Sequence, residues 1–322
     1  MIEIKNLTKK YGDIKAVDNI SFNVKEGEVL GFLGPNGAGK STTMNILTGA
    51  ISASNGSVKV DGYDVLEEPE EAKKAIGYLP ERPPLYEDMT VTEYLKFISD
   101  LKLVPKNEQI DELARIMASL KITDVRKRLI GNLSKGYRQR VGIAQAMVGN
   151  PKVLVLDEPT VGLDPKQILD IRKLIRDLGK KHTVILSSHI LSEIQATCDR
   201  VVIISNGQLA YEGDIKNMGE TVEGISRVEI IAKGTDDRAM KLLNTINGIT
   251  KTKLTNRDDN YSIYEYDTAE GLDLREEVFS KFANNRIPLI GMRSLNPTLE
   301  DIFLSVTSGS NEYTKGRGAN NV

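Results

Sequence analysis

One cysteine, Cys198, stands in a chain of 322 residues, so no disulfide can close within it. With only two histidines beside it, a dedicated zinc site of the His and Cys type is disfavoured too. No run of about 20 consecutive apolar residues occurs, the length needed to cross a bilayer, so any role at a membrane is expected to run through a second chain. The opening stretch MIEIKNLTKKYG lacks the apolar core of a signal peptide, and the cytoplasm is the expected compartment. Neither charge dominates. Lys and Arg number 43 against 45 Asp and Glu, a net charge of -2, which leaves no global basic field to attract nucleic acid. There is no heptad run and no basic patch. The remainder, 40% hydrophobic and 27% charged, is ordinary for a globular chain with two separate cores.

The first half reads as an α/β domain. Short apolar runs, EVLGFLG, KVLVLDEP and HTVILSSH, alternate with helical segments, as expected of parallel strands buried on both faces. Between the first two runs a helical insert is expected over about residues 85–148, with Leu95, Ile98 and Leu101, then Ile110, Leu113, Ile116 and Leu120, recurring at helical spacing as core positions. Composition shifts after about Gly219. From there SRVEIIAKG predicts a strand, and DDRAMKLLNTING a helix with Met240, Leu243 and Ile246 on one face and Gly248 past its end. ITKTKLT and YSIYEYD predict two strands, followed by a helix through LREEVFSKFANN and a strand through PLIGMRS. That order, βαββαβ, predicts a small α+β domain of ferredoxin-like type over 220–308, after a first domain over 1–219. Residues 309–322 have almost nothing to bury and are expected to form a disordered tail.

The chemistry concentrates in four places. GPNGAGKS, made of Gly34, Pro35, Asn36, Gly37, Ala38, Gly39, Lys40 and Ser41, fits G-x-x-x-x-G-K-[ST] between an apolar run and a helical one. Its glycines let successive backbone N–H groups turn toward one anion, the helix start adds its positive end, Lys40 brings a cation to the outer phosphates, and Ser41 offers an oxygen to Mg²⁺. Next, VLVLDEP ends a buried strand in two adjacent carboxylates, which would be costly without partners. Asp157 is placed to hold Mg²⁺, and Glu158 to orient or deprotonate water attacking a γ-phosphate. His189 closes TVILSSH at the edge where open α/β sheets bind ligands, positioned to reach a γ-phosphate or hold the water. Finally, LSKGY precedes a helix near Arg138, so the Ser134 hydroxyl and the Gly136 amide can take a phosphate; an ordinary serine helix cap is the plainer reading of that pentapeptide alone.

Taken in order, Tyr11, GPNGAGKS, LSKGY, VLVLDEP, VGLD and His189 resemble the ATP-binding subunit of ABC transporters, over roughly Ile2 to Asp214. The resemblance implies a P-loop NTPase of ABC type, an ATPase that uses ATP and Mg²⁺. It further implies a head-to-tail dimer, expected between identical chains, in which each nucleotide lies between the phosphate loop of one subunit and the signature of the other. Tyr11 would stack on adenine, Gly34 to Ser41 and Thr42 would bind phosphates and Mg²⁺, and Asp157, Glu158 and Lys40 would keep the roles given above. Asp164 would communicate across the dimer, and His189 would sense the γ-phosphate. A separate membrane permease is the implied partner, placing the chain at the cytoplasmic face of the membrane. GYLPE and the ending SLNPTLEDIFLSVT are similar to bacterial exporter subunits of the drug-resistance and gliding-motility types, so export is the expected direction. The rival within the family is a soluble ATPase acting on ribosomes or DNA. Two departures stand out. The signature LSGGQ of the family is LSKGY here, with Lys135 and Tyr137 changed but Ser134 and Gly136 kept. Glu81 stands where the family places a glutamine near Mg²⁺, keeping an oxygen acceptor while adding negative charge.

Overall fold

The computed structural model describes residues 1–215, 227–234, 237–269, 272–295 and 299–308. The chain divides into two compact units, Met1–Ile215 and Lys216–Val322. The expected boundary near Gly219 and the expected tail at 309–322 lie outside the described residues.

The first unit opens with a β-hairpin, β1 (Ile2–Tyr11) and β2 (Ile14–Val24), followed by β3 (Val29–Leu33) and α1 (Lys40–Leu47). The strands β4 (Asn55–Val60) and β5 (Tyr63–Asp64) extend the hairpin into an antiparallel sheet of order β2-β1-β4-β5. Helix α2 (Pro69–Ala75) leads to β6 (Ile76–Leu79). The chain then stays helical through α3 (Val91–Leu101), α4 (Lys106–Ser119), 3₁₀ turns at Thr123–Val125 and Ile130–Asn132, and α5 (Lys135–Met147). It returns to the sheet at β7 (Val153–Asp157), then α6 (Pro165–Gly179), β8 (Thr183–Ser188), α7 (Leu191–Thr197), β9 (Arg200–Ser205) and β10 (Gln208–Asp214).

Six of these strands form the second sheet, ordered β10-β9-β3-β8-β7-β6. All neighbours in it are parallel except β10, which pairs antiparallel with β9. Every residue of β3, β7 and β8 is buried, which explains their unbroken apolar runs. The register positions the chemistry. Leu33 pairs with Ser188 and Asp157 with Ser187, so Gly34, Glu158 and His189 leave the sheet together at its C-terminal edge.

The helical insert departs from expectation on one face. Leu95, Leu113, Ile116 and Leu120 are buried, but Leu101 is exposed and Ile110 is 79% exposed. In α4 the buried positions are Gln109, Leu113, Ile116 and Met117. Gln109 takes the inward position because its amide donates to Asp100 Oδ1 (2.8 Å) and to the Val104 carbonyl (3.0 Å), which satisfies a polar group that burial would otherwise penalise.

In the second unit β11 (Arg227–Lys233), α8 (Arg238–Leu243), β12 (Ile249–Arg257), β13 (Tyr261–Thr268), α9 (Arg275–Asn284) and β14 (Leu289–Leu295) follow the βαββαβ order, and α10 (Leu299–Ser308) comes after. The sheet order β12-β13-β11-β14, antiparallel throughout, is that of a ferredoxin-like domain. Its core is its own: Val228, Ile230, Leu243, Tyr264, Tyr266, Val278 and Phe282 cluster together. Helix α8 is shorter than the sequence predicts, ending at Leu243. Leu243 and Ile246 are buried as expected, but Ile246 lies in the turn beyond, where the Thr245 hydroxyl donates to the Leu242 carbonyl.

The insert meets the sheet most tightly where β6 passes α5. A Cβ on Gly77 would stand 2.0 Å from the Ala146 carbonyl oxygen, a backbone atom that cannot rotate away. Gly77→Ala is therefore expected to cost about 1–3 kcal/mol, the usual price of overpacking. Thermal unfolding should show the first unit melting several degrees lower; an unchanged midpoint would mean that β6 and α5 separate freely.

Candidate phosphate-binding site

The loop between β3 and α1 is shaped by backbone that admits no side chain. Gly39, the N-cap of α1, has φ 106°, and a Cβ there would stand 2.4 Å from the Ala16 carbonyl oxygen. A Cβ on Gly34 would lie 2.4 Å from the Ile204 carbonyl oxygen. The loop is thus pressed between the start of β2 and the end of β9, and Gly207 N–H donates to the Ala38 carbonyl (3.0 Å) to fasten it. Asn36 and Gly37 at its crest are exposed. What results is a fixed turn at a helix N-terminus, the arrangement that binds phosphate.

Lys40, the first residue of α1, is only 6% exposed. Its Nζ donates to the carbonyls of Gly34 (2.8 Å) and Pro35 (3.2 Å) and lies 3.8 Å from Glu158 Oε1. Asp157 and Glu158 are 2% and 6% exposed. Burial raises the pKa of the Asp157 carboxyl; the Ser187 and Ser41 hydroxyls and Lys40 oppose this, and Glu81 adds to it. Neither Asp157 Oδ1 nor Ser187 Oγ has a hydrogen-bond partner at full bonding geometry, although both are buried. Glu158 sits in left-handed backbone, φ 49°, with its N–H donating to the Ser187 carbonyl (3.0 Å). Its carboxylate lies 2.9 Å from His189 Nδ1 through both oxygens. Burial pushes the Glu158 pKa up as well, with His189 and Lys40 pulling the other way.

These donors suit a hard divalent cation. A buried, unpartnered Asp157 oxygen with the Ser41 hydroxyl and the Glu81 charge close by is a hard oxygen donor set, and Mg²⁺ is commonly held by one or two carboxylates together with substrate phosphates. Among the described residues no group of three or more His, Cys, Asp or Glu side chains gathers to hold an ion alone. Phosphate oxygens and water would have to complete the shell.

The remaining expected residues are spread over α1, the end of β1 and the starts of α5 and α6. Thr42 follows Ser41 on α1 and is half-buried. Tyr11 ends β1, exposed, with the Lys9 ammonium 5.2 Å from its ring centre; the hairpin that bears it also brings Ala16 against Gly39. Ser134 is the N-cap of α5, its Oγ accepting from the Tyr137 N–H at a long 3.5 Å. Gly136 is tight against α6, where a Cβ would stand 2.7 Å from Gln167 Cδ. Asp164 caps α6 by accepting from the Gln167 N–H (2.9 Å). A cavity of about 260 Å³ opens beside the signature, lined by Ser134, Gly136, Tyr137, Arg140, Gln167 and Asp170 among others, and by none of residues 34–42. The fold therefore gathers the phosphate loop, Asp157, Glu158 and His189 in one place, and the signature in another.

Two polar groups escaped the sequence reading. Thr160 and Glu193 are buried beside the Glu158 and His189 turns and bond to each other at 2.6 Å. Glu193 lies between Ser192 and Ile194 on a short helix, and nothing in hydrophobic periodicity marks a buried acid there. The other histidine, His182, is structural, with Nδ1 2.8 Å from the Pro151 carbonyl.

A glycine phosphate loop entering a helix, two adjacent carboxylates closing β7 and a histidine on the same edge define a P-loop ATPase with a helical insert. The family described as ABC transporter matches residues 17–161. The bacitracin transport ATP-binding protein BcrA of Bacillus licheniformis is 41% identical over 214 residues, 66% of this chain and 69% of that one. The linearmycin resistance ATP-binding protein LnrL of Bacillus subtilis (strain 168) is 30% identical over 313 residues, 95% of this chain and 98% of its own. Among solved structures, the dimeric post-hydrolysis state of the ATP-binding cassette MJ0796 bound to ADP and Pi superposes with TM-score 0.60 at 27% identity, covering 67% of this chain and 99% of that one. The chain belongs to the ABC transporter family, as an ATP-binding subunit that hydrolyses ATP.

The raised pKa of Glu158 has a consequence for stability. Its folded pKa lies above its unfolded value, so ionisation opposes folding; the penalty is complete above the folded pKa and absent below the unfolded one. Glu158→Gln removes it. The variant should melt above wild type at pH 7.5, with the gap closing as pH falls toward the ordinary carboxylate range. A lower midpoint at pH 7.5 would show that the ion pairs with Lys40 and His189 outweigh burial.

Proposed function

We propose that this subunit works as one half of a head-to-tail dimer of identical chains that powers a separate membrane permease, and that the transport is export. The observation that carries the dimer is the separation just described: a signature with its own cavity, lined by no phosphate-loop residue of the same chain. Two such chains facing each other would enclose two nucleotides, each between one phosphate loop and the partner's signature.

In each site Tyr11 stacks on the base, and residues 34–42 wrap the phosphates with backbone N–H groups. Lys40 exchanges its loop carbonyls for the outer phosphate oxygens. Asp157 and Ser41, with Glu81 near, would hold Mg²⁺, which would supply neutralisation of the phosphate charge. Glu158, its pKa raised toward the working range of a general base, accepts a proton from the attacking water, and His189 steadies that carboxylate and contacts the γ-phosphate. Ser134 and Gly136 of the facing chain supply the last donors, and Asp164 carries the contact between the two sites. ATP thus holds the dimer closed; hydrolysis removes the group both chains share.

The permease is inferred from the family, and export from similarity to proteins named for bacitracin transport and linearmycin resistance. Among the described residues no helix is long and apolar enough to cross a membrane; the peripheral position at the cytoplasmic face, against the permease, is inferred from the family. Light scattering on purified Glu158→Gln tests the dimer. With ATP and Mg²⁺ the molar mass should rise from the 35.6 kDa of one chain to twice that, and Ser134→Arg in the same background should abolish the rise. A mass that stays monomeric with nucleotide bound, or a dimer indifferent to Ser134→Arg, would remove the role given to the signature.

A further inference from the structure

Glu193 is 1% exposed, and its side chain meets Thr160, Ser188 and Arg172 rather than phosphate loop or signature, so that it joins the two turns that carry the proposed water-handling pair. A single oxygen, Oε2, accepts from Thr160 Oγ1 (2.6 Å) and from Ser188 Oγ (3.0 Å). Thr160 lies two residues after Glu158, and Ser188 immediately before His189. The Ser188 hydroxyl in turn accepts from the Ile190 N–H (3.0 Å), which fixes the turn that projects His189. On the other side, the Thr160 carbonyl accepts from the Leu163 N–H (3.2 Å), and the Glu158 carbonyl from the Val161 N–H (3.2 Å).

This arrangement has a cost that packing alone does not require. A buried carboxylate loses its hydration and must be compensated by hydrogen bonds and charge. The available cation, Arg172 on α6, reaches only to 3.8 Å, with Nη2 toward Glu193 Oε1, and Oε1 itself has no hydrogen-bond partner. The two hydroxyls provide the direct compensation, and both belong to catalytic-edge turns. Glu158 meanwhile holds a left-handed backbone, φ 49°, a conformation that is strained for a non-glycine residue and persists only where its surroundings impose it.

We propose that Glu193 is a positioning residue for ATP hydrolysis: by binding both turns through one oxygen, it fixes Glu158 and His189 at the separation that the attacking water needs. The proposal rests on the reading that Glu158 acts on that water. Because α6, capped by Asp164, also presents Arg172 to the same carboxylate, the clamp links α6 to the Glu158 and His189 turns.

A double-mutant cycle tests it. Glu193→Ala should lower kcat about 10-fold to 100-fold, the scale expected for misplacing a reacting group by a fraction of an ångström to an ångström, with KM for ATP within about threefold. Binding of ADP, measured by calorimetry, should be unchanged, since the phosphate loop is not touched. Glu193→Gln, which keeps an oxygen for both hydroxyls, should restore most of kcat. In the Glu158→Gln background the further loss from Glu193→Ala should shrink to what displacing His189 alone costs, because the Glu158 carboxylate is no longer there to be positioned. Thr160→Val carries the same cycle with a smaller disturbance, should Glu193→Ala fail to fold. Equal losses of kcat in both backgrounds, or ADP affinity falling along with kcat, would overturn the proposal. If Glu158→Gln alone leaves kcat intact, it is the reading of Glu158 that fails, a result visible before Glu193 is changed.

Discussion

Two neighbouring carboxylates are buried at the end of one strand, and most of the first unit is arranged around making that tolerable. Asp157 and Glu158 leave water side by side, and burial drives both pKa values upward. The compensation comes from three directions. Lys40 approaches from the phosphate loop, the Ser187 peptide and hydroxyl from β8, and the His189 ring from the turn beyond β8. All three depend on a parallel sheet whose strands end in register, since a slip of one residue between β7 and β8 would carry Ser187 and His189 past their partners. The compensation is also incomplete, because Asp157 keeps an unpartnered oxygen. A site that is short of positive charge and rich in backbone N–H groups is well matched to a nucleotide arriving with its cation.

Much of this was readable before the structure, for a physical reason. Fully buried parallel strands write themselves as unbroken apolar runs, and a phosphate loop must place glycine wherever another backbone presses close, as Ile204 does at Gly34 and Ala16 at Gly39. The βαββαβ order of the second unit was legible because its strands and helices alternate with clear turns. The failures also have causes. Ile110 repeats at helical spacing but faces solvent, because Gln109 with two hydrogen bonds occupies the inward position instead. Helix α8 stops at Leu243 although the apolar spacing continues to Ile246, which packs from a turn. Glu193 was invisible, since a buried acid on a seven-residue helix looks like a surface residue until its partners are located.

The signature illustrates how one local structure can support two readings. Ser134 does cap α5, as any serine before a helix can, but its bond to the Tyr137 N–H is long at 3.5 Å. Gly136 is constrained from outside the helix, by Gln167 on α6, so a glycine there answers to packing as well as to any ligand. Cap geometry alone therefore does not separate a phosphate contact from a structural one. The stronger distinction is spatial, in that the loop which would share a phosphate with Ser134 is not among the residues lining its cavity.

Glu81 adds a third acid to a place already crowded with negative charge, and the outcome depends on where each charge resides. Asp157 is buried and its pKa is raised partly by Glu81, whereas Glu81 itself is exposed. Water screens the exposed partner, so the repulsion is far smaller than two buried carboxylates would feel at the same distance. A bound cation would reverse the sign of the effect: the same charge that burdens Asp157 alone would add to the attraction for Mg²⁺, at some cost in repulsion from the γ-phosphate. Glutamate in this position would therefore tie nucleotide affinity to the metal more closely than glutamine, because the unfavourable term would act on the phosphate and the favourable one on the ion that accompanies it.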